Sequence, residues 1–100
     1  MNELQQYYLG SLAQKLEELE ALRRALSKES TASDLDGLRK IAHRLKGTGA
    51  SYGFDAVSAD AMALEEALEG ASGRWTSEVE GALDGFLATL RRTVDEGVPG

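Results

Sequence analysis

The chain has 100 residues, no cysteine, one histidine and a formal net charge of −6 at pH 7. That length makes one small domain with a single core, burying roughly two-thirds of the surface its unfolded form exposes, and excludes a second, catalytic domain. Without cysteine there is no disulfide or thiolate chemistry and a lone histidine all but excludes zinc, while a pI near 4.7 argues against nucleic acid or anionic lipid as partner. No signal-peptide pattern and no apolar run of membrane-spanning length is found, so a cytoplasmic chain with a protein partner is expected.

Apolar residues recur at helical spacing almost throughout, and clusters of Gly, Ser and Thr mark three breaks. The first predicted helix carries Leu4, Tyr8, Leu12, Leu16, Leu19, Leu22 and Leu26 and runs out in a loop from Ser27 to Thr31. Ser33 is the expected N-cap of the second, with Asp34 and Asp36 placed against the positive end of its dipole. Its core stripe is Leu38, Ile41, Leu45 and Tyr52, and Gly53 stops it as a C-cap. Phe54, Val57, Ala61, Leu64 and Leu68 form a third stripe that ends at Gly70-Ala71-Ser72-Gly73. Trp75, Val79, Leu83, Phe86, Leu87, Leu90 and Val94 make a fourth. Short connections between amphipathic helices predict an all-α, antiparallel up-down four-helix bundle over residues 1–96, with a flexible tail, 97–100, holding Pro99. With all four stripes buried, a monomer is expected. Neither GxxxxGK[ST] nor GxGxxG occurs, so the chain is expected to bind no nucleotide or other cofactor, and no metal.

The single histidine, His43, falls off the core stripe of the second helix. At about 100° per residue it lies roughly 170° from the mean direction of Leu38, Ile41, Leu45 and Tyr52. Arg39, Lys40, Lys46, Gly47 and Ala50 fall within about 60° of it, so its expected neighbours are cationic or very small. The third helix carries Asp55, Asp60, Glu65, Glu66 and Glu69, which read as solubilising surface. A solvent-facing imidazole can attack phosphorus near neutral pH, and Lys46, at i+3, is placed to stabilise the phosphoramidate with a charge-assisted hydrogen bond. A glycine within a helix costs about 1 kcal/mol relative to alanine, and Gly47 and Gly49 both do so. Clearance for a partner's active site explains Gly47; Gly49 points nearer the core and suits close helix packing.

His43-Arg44-Leu45-Lys46-Gly47, with Gly53 ten residues after the histidine and then Phe54, resembles the HxLKG signature of histidine-containing phosphotransfer (HPt) domains. The resemblance covers the whole chain in length and helix order. It implies a four-helix bundle with an exposed histidine on the second helix, which accepts a phosphoryl group from a receiver-domain aspartate or a kinase and passes it to another receiver aspartate. His43 would then be the phosphoacceptor, Lys46 its phosphoryl-stabilising neighbour, Gly47 the residue that admits the receiver, and Gly53 structural. Arg39, Lys40, Arg44 and Ala50 would meet the partner, the cations steering it. The partners implied are response-regulator receivers and hybrid or sensor histidine kinases, with magnesium on the receiver and no ATP site on this chain, a carrier and not an enzyme. A regulatory bundle that docks on a receiver or kinase without phosphotransfer is the alternative.

Overall fold

The computed structural model describes residues 1–99, built from α1 (Glu3–Ala25), α2 (Ala32–Ser51), α3 (Asp55–Gly70) and α4 (Ser77–Glu96). Local chemistry sets the boundaries. Asn2 and Gln5 form a capping box at α1, the Asn2 side chain accepting from the Gln5 amide at 2.8 Å. The N-cap of α2 is Thr31 and not Ser33: Thr31 Oγ1 accepts from the Asp34 amide at 3.2 Å while Asp34 accepts from the Thr31 amide at 2.8 Å. Asp34, three residues after Thr31, can reciprocate, which leaves Ser33 inside the first turn. Gly53, at φ +81°, ends α2 as expected, within the turn Tyr52-Gly53-Phe54. Thr76 caps α4, so Trp75 precedes that helix, and Gly97 closes it at φ +69° with its amide donating to the Thr93 carbonyl. The expected tail thus begins with a helix cap, and its last residue, Gly100, lies outside the described residues.

Neighbouring helices run in opposite senses, because rising numbers on one meet falling numbers on the next. Gly49 meets Ser58 and His43 meets Glu65 across α2 and α3, while Arg23 meets Asp84 and Glu20 meets Arg91 across α1 and α4. The result is an all-α antiparallel bundle of 42 × 21 × 18 Å. Tyr8, Leu12, Leu19, Leu38, Leu45, Phe54, Val57, Leu64, Leu83, Phe86 and Leu90 meet along its axis. Leu4 is not part of that core and is 66% exposed. Gln5 already bonds the Tyr52 carbonyl at the end of α2, so Leu4 overhangs the helix on which it would pack. Ile41, Tyr52, Trp75, Leu16, Leu22 and Val94 flank the core, half-buried.

Gly49 is buried at the α2–α3 contact, where a Cβ would sit 3.1 Å from the Ser58 amide nitrogen and 3.3 Å from the Phe54 carbonyl oxygen. A Cβ on Gly47 would meet nothing within 4 Å. Gly49→Ala should therefore destabilise by about 1–3 kcal/mol through overpacking, and Gly47→Ala should stabilise by up to about 1 kcal/mol through helix propensity. Chemical denaturation separates the two, and equal midpoints would refute the packing role of Gly49. Leu45→Ala should cost about 2–5 kcal/mol, against a small change for His43→Gln.

Candidate functional site

The buried face of α2 is formed by Leu35, Leu38, Ala42, Leu45 and Gly49. Its centre is turned about 50° toward α3 from the direction of the predicted stripe, so His43 lies nearer 120° than 170° from the core. The ring remains exposed, with 65% of its side chain accessible, and leans over the α2–α3 groove.

Glu65 of α3 occupies that groove. Its side chain is only 9% accessible, and its two carboxylate oxygens are divided between α2 residues: Oε2 lies 2.6 Å from His43 Nδ1 and Oε1 accepts from Lys46 Nζ at 2.6 Å. The surface role expected for Glu65 is therefore wrong. The wheel holds a signal for it: Glu65 lies about 60° from the centre of the α3 stripe, on its border, whereas Glu66 lies about 160° away. Asp60 is also engaged, accepting a hydrogen bond from Thr89 on α4. Asp55, Glu66 and Glu69 are exposed, as expected. The close approach at Gly49 draws α3 in, and Ser58 Oγ donates to the Lys46 carbonyl at 2.7 Å in the same stretch.

The Lys46 ammonium holds the Glu65 carboxyl below its ordinary pKa; burial opposes this and the His43 hydrogen bond adds to it. Reciprocally, Lys46 is raised, first by its hydrogen bond to Glu65, with Glu69 and Glu66 contributing through their fields. An ionised carboxylate can only accept, so the His43 nitrogen facing it, Nδ1, carries the hydrogen. In the neutral ring Nε2 then holds the free lone pair.

The other expected neighbours spread around α2. Gly47 and Ala50 are exposed beyond His43. Arg39 and Lys40 are both tied to Asp36, at 3.1 and 3.2 Å, so the patch is less cationic than the sequence suggests. Lys40 and Arg44 face the α1 side, where with Lys15, Ile41 and Leu45 they line a groove of about 190 Å³. Tyr8 braces this side: its hydroxyl shares a 2.7 Å hydrogen bond with Thr48, whose hydroxyl donates to the Arg44 carbonyl, and its ring stacks on Tyr52 at 4.5 Å. Among the described residues, no group of three or more acidic or histidine side chains is arranged to hold a metal ion, and no helix is long and apolar enough to cross a membrane.

A family model described as the Hpt domain matches residues 3–93, taking in all of α1, α2 and α3 and most of α4. The chain belongs to the Hpt domain family. Hpt domains serve histidine phosphotransfer in phosphorelays, carry phosphoryl groups without an ATP site of their own, and act with receiver domains and kinases. No curated protein and no solved structure matched the chain.

The shifts at the site fix a pH dependence of stability. Glu65, lowered in the folded state, binds fewer protons than when unfolded, so its contribution is full above the ordinary glutamate pKa and is lost as pH falls through the folded value. Lys46, raised, contributes fully below the ordinary lysine pKa and loses that contribution as pH rises through its folded value. Wild type should thus be more stable than Glu65→Gln at neutral pH, with the difference shrinking in acid below the ordinary glutamate range. Urea unfolding of both proteins across that range checks this, and a pH-independent difference would rule out the ionic role.

Proposed function

We propose that this Hpt domain is a phosphorelay carrier in which His43 Nε2 accepts a phosphoryl group from a receiver aspartate or a kinase and passes it to a response-regulator aspartate. The observation that carries this reading is the exposed imidazole whose inner nitrogen is held by a buried carboxylate. In transfer from a receiver, the Nε2 lone pair attacks phosphorus and the N–P bond forms as the acyl P–O bond breaks, the electron pair leaving with the aspartate carboxylate. No proton has to leave Nε2. The ring gains positive charge in the step, and Glu65, already opposite Nδ1–H, stabilises it.

Lys46 has three N–H donors, of which Glu65 takes one, so the remainder are available to the oxygens of a phosphoryl group on Nε2. Gly47 and Ala50 leave the approach to the ring low, and the open space at Gly47 admits the rim of a receiver. The receiver supplies the aspartate and the magnesium ion. Cytoplasmic placement and a monomeric state complete the reading.

A receiver charged with acetyl phosphate in the presence of magnesium should transfer an acid-labile, alkali-stable label to this chain. His43→Gln should remove the label, and Lys46→Ala should slow transfer by about 10–100-fold without unfolding the bundle. Label retained by a folded His43→Gln variant would defeat the carrier reading in favour of a docking-only bundle.

A further inference from the structure

The two flanks of His43 differ in charge: the α1 side is basic, whereas on the α3 side the cations Lys46 and Arg39 are already paired, with Glu65 and Asp36, and the exposed unpaired charges are acidic. On the α1 side, Lys15, Lys40 and Arg44 rim the groove of about 190 Å³ whose apolar lining is Ile41 and Leu45. Lys15 reaches Glu18 at 3.2 Å and Lys40 reaches Asp36 at 3.2 Å, but among the described residues no carboxylate lies within ion-pairing distance of Arg44. On the α3 side, Glu66 and Glu69 are exposed, and neither has a cationic side chain within ion-pairing distance among those residues. Both stand close enough to Lys46 for their fields to act on it. Between the flanks runs a strip without charged side chains at Gly47 and Ala50. The α2 helix thus separates a basic groove with an apolar floor from an acidic ridge, on a chain whose net charge is −6.

A partner centred on His43 meets both flanks together. An acidic partner in the reverse orientation would set its carboxylates against Glu66 and Glu69, and at these separations a like-charge contact is repulsive over the reach of a Debye length, roughly 10 Å at ordinary salt. A lysine or arginine facing Arg44 would be disfavoured in the same way. The groove also offers more than charge, because Ile41 and Leu45 present apolar surface beneath the cations.

We propose that this charge division selects and orients the receiver: the α1–α2 groove takes a receiver segment bearing carboxylates around an apolar side chain, while the Glu66–Glu69 ridge meets a cationic residue on the receiver's other flank. This rests on the carrier reading for its partner class, and goes beyond it in assigning Lys15, Arg44, Glu66 and Glu69 to specificity.

The test uses a panel of receiver domains of known surface charge and two variants of the full chain, Lys15→Glu/Arg44→Glu and Glu66→Lys/Glu69→Lys, each checked for unchanged helicity. Transfer from receivers charged with acetyl phosphate and magnesium is measured at low and high salt, and binding of the uncharged receivers is titrated in parallel on the His43→Gln background. The first variant should lose about tenfold in kcat/KM and in affinity toward the receivers that wild type prefers, with most of the loss vanishing at high salt. The second should widen the set of accepted receivers to those with acidic side chains on both flanks. Unchanged receiver ranking in both variants would overturn the proposal, as would equal shifts for every receiver, which indicate net charge alone. Charge-dependent receiver ranking in binding without any transfer to wild type would refute the carrier reading and leave the oriented surface standing; transfer with no dependence on these four residues would do the reverse.

Discussion

At Gly49 the backbone of α2 comes so close to α3 that a single methyl group would press on the Ser58 amide and the Phe54 carbonyl. That approach sets the register of the two antiparallel helices. Six residues back from Gly49 stands His43, and seven residues on from Ser58 stands Glu65, so the two side chains arrive at the same height in the groove. The turn through Tyr52, Gly53 and Phe54 holds the same register from the other end, with Phe54 fully buried and the Gly53 backbone in the left-handed region. The position of the imidazole against its carboxylate is therefore set by backbone packing more than a full turn away, at a residue with no side chain.

A buried carboxylate is expensive to desolvate unless its oxygens are occupied. Glu65 satisfies this with one oxygen on His43 and the other on Lys46, and no buried side-chain polar atom among the described residues lacks a partner. The arrangement joins structure and chemistry in one group. The same contacts that make burial of Glu65 tolerable orient the His43 ring and restrain the Lys46 ammonium, so a replacement at either α2 position that keeps no hydrogen-bond donor leaves a charge on α3 with half its compensation.

Most of the fold was legible because large apolar residues at helical spacing mark a helix without ambiguity, and the family resemblance was carried by residues around His43. The rotation of α2 was less accessible. Ile41 and Tyr52 look like core and are half-buried, whereas Ala42 and Gly49, which give no hydrophobic signal, lie on the buried face together with Leu35. Small residues reach the centre because helices approach there, and only the neighbouring helix reveals that approach. The displaced axis then hid Glu65, an acid on the border of its stripe whose partners lie on another helix. The Thr31 cap was missed for a simpler reason: two residues of suitable type lay within reach, and the reciprocal bond from Asp34 decides between them.

Apart from Phe86, buried midway along α4, the aromatic side chains are divided between the two ends of the long axis. Tyr8, Tyr52 and Phe54 cluster where α1 begins and α2 ends, with the Tyr8 and Tyr52 rings parallel to within 5°, while Trp75 lies at the other end beneath the Arg23 guanidinium, 5.3 Å from its ring centroid. Since Trp75 is the only tryptophan, indole fluorescence reports on the turn between α3 and α4 and the chain's own tyrosines report chiefly on the end that braces α2 behind His43. Each end of the bundle has its own optical signal, and fraying at one can be told from loosening at the other without adding a label.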